Sequence, residues 1–323
     1  PARPLWRGAI ARPTLCRSPI RSRLSDRPTP MNYRHVYHAG NFADVLKHAV
    51  LARIIVHLQK KETAFRLLDT HAGTGLYDLS SAEAQKTGEW RNGIGRILRA
   101  PLDPDNAALL APWLAAVAAA NGIDQVVPGA AFEPARLTVY PGSPMIARHM
   151  LRKVDRLTLT ELHPADFTRL STLFAGDVQV KTIELDGWLA LKSFLPPKER
   201  RGAILVDPPF EQPDEFRRLA DGLVDGLRRF AGGVFALWYP IKDEAETGAF
   251  HRALVETGIR KILRVELRTA QVEPGRPLTG SGLILVNPPW MLEAELGRLV
   301  PALAEWLATG RGAGGRVDWL VAE

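Results

Sequence analysis

The sequence predicts an α/β fold with a mostly parallel, doubly wound sheet, and two observations carry this prediction. Strand-like apolar runs alternate with helical patterns such as 164–174 and 214–230, and this alternation is typical of a parallel sheet with helices on both faces. In addition, the first apolar run, 64–69, breaks directly into a glycine loop, Gly73-x-Gly75. A strand followed by a glycine loop is the usual cofactor-binding corner of doubly wound folds.

A helix is predicted to open the organised part of the chain. Asn41 is a favourable N-cap, and Asp44 stands three residues later in the capping-box position. From Phe42 onward, apolar residues recur at i, i+3, i+4 and i+7, which gives the helix one apolar face. We expect this helix to end near Leu58 or Gln59.

Seven strands are predicted for the sheet: 64–69, 157–161, 178–185, 203–206, 234–238, 262–267 and 283–286. Only the loop-like segment 268–282 joins the last two, and a parallel crossover usually needs a helix. The last strand is therefore expected to run antiparallel. Residues from about 79 to 137 are predicted to form an inserted, mostly helical subdomain, with an Ala- and Leu-rich helix at 107–121.

Residues 1–30 form a basic leader, which we expect to be disordered. Seven arginines and one aspartate give this segment +6 of the formal net charge of +7. A transit peptide and an RNA-binding arm are two interpretations of such a composition. A start codon assigned too early, with Met31 as the true first residue, is the interpretation that we favour. The near-neutral remainder, 31–323, is the predicted functional domain.

The cysteine and histidine content gives no support to a metal site. Cys16, the only cysteine, lies in the leader, so residues 31–323 contain no disulfide and no thiolate nucleophile. The closest histidine pair, His35-x-x-His38, has no third ligand at a suitable spacing, and hydrogen-bonding or RNA-facing roles are favoured. No apolar stretch reaches the length of a membrane span, so a soluble, cytoplasmic protein is expected.

Two tetrapeptides share one template: Asp207-Pro208-Pro209-Phe210 and Asn287-Pro288-Pro289-Trp290. Each follows a predicted buried strand and stops it abruptly. A hydrogen-bonding side chain, rigid carbonyls and a flat ring can together hold a planar amino group, which points to methyl transfer onto an exocyclic nitrogen. Ligands of doubly wound sheets bind outside the carboxyl ends of the parallel strands. Asp207 is therefore predicted to act, and Asn287, ending an antiparallel strand, to be a structural stop at the opposite edge.

The other parallel strands also end in acids, namely Asp69, Glu161 and Asp186. An acid at the second tip suits the hydroxyls of a ribose, and an acid at the third suits an adenine amino group. The glycine loop falls short of the dinucleotide motif G-x-G-x-x-G, so S-adenosylmethionine is favoured as the cofactor. Alone, each feature is ordinary, since Asp-Pro-Pro most often ends a strand. Their order on one sheet is what indicates a methyltransferase.

The expected chemistry is methylation of an adenine N6. Asp207 and a carbonyl near Pro208 would accept hydrogen bonds from the amino group, and Phe210 would stack on the extruded base. Holding the nitrogen in line with the methyl group supplies much of the rate, and the proton would leave late, to Asp207 or solvent. Four tryptophans are interpreted as core or surface anchors rather than base-stacking platforms: Trp188, Trp238, Trp306 and Trp319.

From Met31 to the end, the chain resembles the RlmJ family of bacterial 23S ribosomal RNA adenine-N6 methyltransferases. The words that carry the resemblance are Tyr33-Arg34-His35-x-x-His38-Ala39-Gly40-Asn41, Ala43-Asp44-Val45-Leu46-Lys47-His48, Asp69-Thr70-His71-Ala72-Gly73, Tyr140-Pro141-Gly142-Ser143-Pro144, Glu161-Leu162-His163-Pro164, Asp186-Gly187, and the two tetrapeptides. The family commonly has Tyr at the position of Phe210, which preserves stacking and removes a hydroxyl. The leader has no counterpart in the family.

The resemblance implies a Rossmann-like class I methyltransferase that uses S-adenosylmethionine, acts on 23S ribosomal RNA and is monomeric. It implies Asp207 as the catalytic group and Tyr33 as a contact to the RNA. The cofactor would be held by Lys47, His48, His71, Ser143, Glu161, Asp186, Gly187 and Asp207.

Three alternatives share the template or the fold: a DNA adenine methyltransferase, a protein glutamine methyltransferase and a non-catalytic RNA-binding protein. The near-neutral charge of 31–323 and the lack of a recognisable DNA-reading module disfavour DNA as the substrate. The presence of all three acids Asp207, Glu161 and Asp186 disfavours a non-catalytic protein.

Overall fold

A computed structural model of the chain describes residues 34–129, 133, 136–273, 275 and 277–323. The leader, Met31 and Tyr33 lie outside the described residues. The strands are β1 Arg66–Asp69, β2 Leu76–Asp78, β3 Val139–Pro141, β4 Arg156–Glu161, β5 Val180–Glu184, β6 Gly202–Val206, β7 Val234–Ile241, β8 Ile262–Arg268, β9 Gly280–Val286 and β10 Gly314–Val321.

The helices of the described residues surround these strands. A 3-10 turn, His35–Tyr37, comes first. The α-helices are α1 Phe42–Gln59, α2 Ala82–Thr87, α3 Glu89–Asn92, α4 Ile94–Ile97, α5 Pro104–Ala120, α6 Ser143–Met150, α7 Pro164–Leu173, α8 Gly187–Ser193, α9 Glu215–Arg229, α10 Glu244–Glu256 and α11 Leu292–Leu307.

The main sheet has the order β10-β8-β9-β7-β6-β1-β4-β5. Strands β5, β4, β1, β6 and β7 pair in parallel, as the α/β prediction requires. Strand β9 runs antiparallel to both β7 and β8, so the predicted reversal of the last strand is confirmed. The short strands β2 and β3 form a separate antiparallel pair.

The sheet has eight strands where seven were predicted. The missed strand, β10, pairs with β8 alone and lies at an edge. Its residues are exposed or half-buried, and it begins Gly314-Gly315-Arg316. Because the strand opens with polar and small residues and none of its residues is buried, its apolar part, 319–321, does not stand out as a buried strand.

Helix α1 is buried on nearly every side. Asn41 caps it as predicted, accepting from the N–H groups of Ala43 at 2.9 Å and Asp44 at 3.0 Å. Asp44 differs from a capping box, because its carboxylate accepts from the N–H of Gly40 at 2.9 Å. The helix contacts α5, α6, α11 and β9, so the single apolar face read from the sequence underestimates its burial. Lys47, buried in this helix, therefore needs partners within the protein.

The segment between β2 and β3 holds helices α2 to α5. Its longest helix, α5, begins at Pro104 with Asp103 as N-cap, earlier than the predicted 107. Trp113 and Val117 of α5 are fully buried and belong to the same apolar cluster as Val45 and Ile54 of α1. The helices of this segment therefore share a core with the main sheet.

Candidate active site

The carboxyl ends of the parallel strands bring the predicted acids to one edge of the sheet. Asp69 ends β1, which lies between β4 and β6. Glu161 ends β4, and Asp207 directly follows β6. Asp186 lies two residues beyond β5 and caps α8. The structure thus gathers the four predicted tips at the edge where doubly wound folds bind ligands.

Lys47 forms an ion-paired bridge beneath the first tetrapeptide. Its ammonium donates to Asp207 Oδ2 and lies 3.0 Å from Asp44 Oδ1, with only 4% of the side chain exposed. Burial opposes the charge, but the two carboxylates outweigh it and raise the pKa of Lys47 above its usual range. Among the described residues, none donates a hydrogen bond to Asp207 Oδ1. One oxygen of Asp207 is therefore held, and the other can accept from a ligand.

Asp44 carries charge at the base of this bridge. Burial favours its protonated form, yet His35, Lys47 and His48 together hold the pKa of its carboxyl well below the usual range. His35 Nε2 lies 2.9 Å from Asp44 Oδ2. Asp44 therefore connects the 3-10 turn at the start of the described chain to the bridge beneath Asp207.

His48 is buried one residue further along α1. Its Nδ1 lies 2.7 Å from the hydroxyl of Tyr140 on β3, and the two rings stack with centroids 5.5 Å apart. Burial lowers the pKa of His48 to about 3. The imidazole is therefore neutral at physiological pH and acts as a hydrogen-bonding group, not as a cation.

The glycine loop between β1 and β2 wraps around Tyr77. Gly73 and Gly75 have φ of +61° and +79°, and a Cβ on Gly73 would lie 2.2 Å from the Tyr77 hydroxyl. The N–H of Gly73 donates to Glu161 Oε2 at 2.8 Å, and the N–H of His163 donates to Oε1 at 2.8 Å. A carboxylate oxygen has two lone pairs, so each oxygen of Glu161 keeps one for a ligand hydroxyl.

Asp186 and His71 lie on the adjoining part of the edge. Asp186 Oδ1 accepts from the N–H groups of Trp188 and Leu189, at 2.9 and 3.1 Å. Asp186 Oδ2 lies 4.0 Å from the guanidinium of Arg218 and accepts no hydrogen bond from the described residues. Gly187 is required here, because a Cβ would lie 2.4 Å from the carbonyl oxygen of Thr70 and 2.6 Å from the ring of His71.

His71 is a neutral imidazole at this edge. The hydroxyl of Thr70 lies 2.8 Å from His71 Nδ1 and 3.1 Å from the carbonyl oxygen of Leu205. Burial and the nearby Arg218 lower the pKa of His71 to about 3. The ring therefore acts as a hydrogen-bonding group and carries no charge at physiological pH.

Ser143 supports the edge from below. The first residue of α6, it donates from its hydroxyl to Asp69 Oδ2 at 2.6 Å. Burial raises the pKa of Asp69 to about 7, against the lowering effect of the Ser143 hydrogen bond. Ser143 thus contacts the β1 tip, and the structure places it beside the predicted cofactor residues.

Phe210 lies between two perpendicular rings. Its backbone has φ of +51°, uncommon for a non-glycine residue. Its ring centroid is 5.0 Å from that of Phe216 and 5.7 Å from that of Trp238, at interplanar angles of 70° and 84°. The ring is half-buried and held beside Asp207.

The second tetrapeptide lies at the opposite edge, as predicted. Strand β9 pairs Val286 with Phe235 at the beginning of β7 and Gly280 with Ile241 at its end. The amide of Asn287 donates to the carbonyls of Ala231 and Gly233, at 2.8 and 3.0 Å, in the loop before β7. The predicted position of this copy at the far edge is confirmed by these contacts, and its role as a structural stop stays a prediction.

Reasoning from sequence missed several residues around the site. Asp44 was predicted only as a capping residue, and the places of Tyr77 and Trp238 at the site depend on the fold. Without the family resemblance, Lys47 and His48 would be interpreted as solvated charges on a helix. A usable signal was the apolar residues on both sides of them in α1, Val45-Leu46 and 49–52, which indicate burial on more than one face.

The relatives of this chain are methyltransferases. The sequence profile of the family described as "Ribosomal RNA large subunit methyltransferase D, RlmJ" matches residues 62–321. Ribosomal RNA large subunit methyltransferase J of Escherichia coli strain K12 is 41% identical over 293 residues, which cover 91% of this chain and 100% of that protein.

The chain belongs to the RlmJ family. The protein of the same name from Haemophilus influenzae is 40% identical over 294 residues, covering 91% of this chain and all of that one. A crystal structure of protein LPL1258 from Legionella pneumophila superposes with a TM-score of 0.76 at 31% identity, covering 87% of this chain and 98% of that one. Membership of the RlmJ family makes this chain a class I methyltransferase, with S-adenosylmethionine as the methyl donor.

The residues at the RlmJ edge fit that cofactor. Glu161 retains lone pairs for two ribose hydroxyls, and Asp186 Oδ2 is free of close hydrogen bonds from the described residues. Among the described residues, no group of three or more His, Cys, Asp or Glu side chains could hold a metal ion. Within the same residues, no helix combines the length and apolar character needed to cross a membrane.

Proposed function

We propose that this protein transfers a methyl group from S-adenosylmethionine to the N6 of an adenine in 23S ribosomal RNA. The observation that carries the proposal is the state of Asp207, with Oδ2 held by Lys47 and Oδ1 available at the carboxyl edge. The relatives at 40 to 41% identity are named as methyltransferases of the ribosomal large subunit RNA. An adenine amino group offers the two protons that Asp207 Oδ1 and a nearby carbonyl can accept.

The proposed mechanism assigns a role to each group around the extruded base. Asp207 Oδ1 accepts a hydrogen bond from one amino proton, and the carbonyl of Asp207 or Pro208 accepts one from the other. These bonds favour a pyramidal nitrogen, whose lone pair is withdrawn from conjugation with the ring and is free to attack. Phe210 stacks on the base. S-adenosylmethionine would supply an electrophilic methyl group, whose bond to sulfur breaks as the bond to nitrogen forms, and would leave as the neutral thioether. The surplus proton of the nitrogen leaves to Asp207 or to water. Fixing the nitrogen in line with the methyl group provides a large part of the rate enhancement.

The cofactor assignments follow the same edge. Glu161 binds the ribose hydroxyls, Asp186 and the Gly187 backbone bind the adenine end, and the neutral imidazole of His71 forms a hydrogen bond to the cofactor. Lys47, His48 and Ser143 act from beneath: Lys47 orients Asp207, His48 fixes Tyr140, and Ser143 holds Asp69. Tyr33 would contact the RNA ahead of the 3-10 turn.

Further proposals concern the chain as a whole. We propose a cytoplasmic, monomeric enzyme whose catalytic domain is 31–323, with an inserted helical segment at about 79–137. Residues 1–30 are proposed to be a basic leader. Gel filtration with light scattering tests whether the enzyme is a monomer.

The decisive experiment measures methyl transfer from labelled S-adenosylmethionine onto ribosomal RNA from a strain that lacks the enzyme. Protein-free 23S RNA and whole large subunits are compared, and the modified nucleotide is mapped by mass spectrometry. We expect one N6-methyladenosine in 23S RNA. Incorporation into DNA or protein with none into RNA would overturn the proposal in favour of the enzymes that share the template.

A further inference from the structure

Trp238 contacts both the Phe210 ring and the Lys47 ammonium that pairs with Asp207, and its position in the sheet explains how. It lies in β7, one residue after Leu237, which pairs with Val206 of β6. Since Asp207 follows Val206, Trp238 and Asp207 are neighbours across adjacent parallel strands. The indole is half-buried, whereas the residues on either side of it in β7 are buried. The strand thus directs one large ring toward the ligand-binding edge.

The indole contacts both groups on which the proposed chemistry depends. Its centroid is 5.7 Å from the Phe210 ring at an interplanar angle of 84°. The ammonium of Lys47, which holds Asp207, lies 5.7 Å from the centroid of the indole. Perpendicular aromatic pairs and ammonium–indole contacts at these distances are each attractive. A change in the angle of the indole would therefore move the stacking ring and the cation together.

A single hydrogen bond fixes that angle. Trp238 Nε1 donates to Ser281 Oγ at 2.9 Å, and Ser281 is fully buried in β9. Its neighbours are Gly280 and Gly282. A Cβ added at Gly280 would lie 2.8 Å from Ile241, and one added at Gly282 would lie 2.2 Å from the Tyr239 ring. The beginning of β9 therefore consists of small residues, because the large side chains of β7 pack directly against it. Among these three residues, Ser281 supplies the side-chain acceptor.

We propose that Trp238, oriented by Ser281, is a positioning residue for methyl transfer and forms the second aromatic wall of the target-base pocket. The inference rests on the proposed function. Phe210 offers a face for the base, and Trp238 stands at about a right angle to it, so the two rings form a corner with Asp207 at its base. A planar base seated in this corner has its amino group directed at Asp207. The antiparallel strand β9 thus contributes to the site through Ser281 near its beginning, and the tetrapeptide at its end does not take part.

The test uses three variants and a matched control. Trp238→Ala removes the wall, Trp238→Phe keeps a ring without the N–H, and Ser281→Ala removes only the acceptor. Trp319→Phe is the control, because Trp319 is also half-buried but lies on the remote edge strand β10. Thermal melting and S-adenosylmethionine binding by calorimetry are measured for all four, so that a folding defect is separated from an effect on positioning.

The expected result is a fall in kcat with little change in the KM for RNA, since most RNA affinity comes from phosphate contacts. A misplacement of about 1 Å can cost about 100-fold in rate, so Trp238→Ala should lower kcat by about that factor. Ser281→Ala and Trp238→Phe should each lower it by about 3- to 10-fold, within the range of one lost hydrogen bond. Trp319→Phe should match the wild type.

A second readout follows the base itself. RNA with 2-aminopurine at the mapped target position becomes fluorescent when the base is extruded and is quenched when the base stacks on an aromatic ring. At saturating protein, the Trp238→Ala and Ser281→Ala complexes should be brighter than the wild-type complex. Equal kcat and equal fluorescence for these variants and Trp319→Phe would overturn the inference. Failure of the wild type to methylate ribosomal RNA would instead overturn the proposed function, so the two failures are distinguishable.

Discussion

The two tetrapeptide tips have nearly the same chemical template and opposite fates in the fold. At the first tip, Asp207 is bound by one oxygen to a buried lysine, and Phe210 is packed between two rings. At the second, the amide of Asn287 is committed to two backbone carbonyls, and Trp290 is 92% exposed. The first tip therefore has an acceptor to offer a ligand, and the second has used its polar group to close a loop.

The backbone differs as well as the surroundings. The residue with positive φ is the aromatic Phe210 in the first tip and Asn287 in the second, at +51° and +53°. Asn tolerates this conformation better than most residues, so the second tip has its left-handed residue where the conformational strain is lowest. In the first tip, the left-handed conformation is at a bulky residue, where surrounding contacts must hold it. Strand direction decides which edge a tip reaches, and local packing decides what it can do there.

The largest expected effect is on kcat and comes from removing the carboxylate of the first tip. Asp207→Ala removes the acceptor at the first tip and should lower kcat by about 1,000-fold, as loss of a preorganised hydrogen-bonding group does in other enzymes. Single-turnover methylation of 23S RNA measures it, with circular dichroism as the check on folding. Asp207→Asn, which gives the first tip the side chain of the second, retains one acceptor oxygen and should lose less. Full activity of Asp207→Ala would remove the first tip from the mechanism.

The next effect tests the charges beneath the first tip. Lys47→Met leaves Asp44 and Asp207 without their shared cation, and breaking a buried pair in this way costs about 3 kcal/mol of unfolding free energy. Urea unfolding should show a lower midpoint. The double variant Lys47→Met with Asp44→Asn removes one of the stranded charges and should recover part of the loss. An unchanged midpoint for Lys47→Met would contradict the bridge.

Acid should lower the free energy of unfolding through His48, which is buried near the first tip. The second tetrapeptide carries no titratable side chain. Burial lowers the pKa of His48 to about 3 from its ordinary value of 6.5. The unfolded chain therefore binds a proton below pH 6.5 that the folded chain excludes, so stability is present above pH 6.5 and is lost as the pH falls toward 3. Between pH 7.5 and 5 the loss for this one group is about 2 kcal/mol.

Unfolding free energies of wild type and His48→Gln at these two pH values measure that loss. Gln can still bond to the Tyr140 hydroxyl but does not titrate, so its loss should be smaller by about that amount. His149→Gln, at an exposed position on α6, serves as the control. Parallel pH profiles for wild type and His48→Gln would refute the assignment of His48 as a buried neutral histidine.

The smallest effect concerns the second tip. Asn287→Ala removes two hydrogen bonds and places alanine, which adopts positive φ less readily than asparagine, at this position. The free energy of unfolding should fall by about 1–2 kcal/mol, and kcat should stay within about twofold of the wild type. Asn287→Gly relieves the backbone and should recover the conformational part. A folded Asn287→Ala that binds S-adenosylmethionine but is inactive would reverse the assignment of the two tips.

The sequence was sufficient for the features that local chemistry controls. The loop 268–282, without a helical pattern, predicted the reversal of β9, and Asn41 predicted the start of α1. It was not sufficient where tertiary contacts dominate. The burial of Lys47 depends on the elements packed around α1, and the orientation of the Trp238 indole depends on a serine 43 residues away. Strand β10 was missed because an edge strand can begin Gly-Gly-Arg and remain unburied along its whole length.

The core shared by α1 and α5 links ligand binding to the folding of the inserted segment. Lys47 and His48 are on α1, and α1 loses much of its cover if α5 detaches. The two helices should therefore open as one cooperative unit in amide hydrogen exchange. A ligand that binds only the closed form stabilises it in proportion to its concentration. Saturation with S-adenosylmethionine should thus slow exchange in α5, a helix remote in sequence from every acid at the edge.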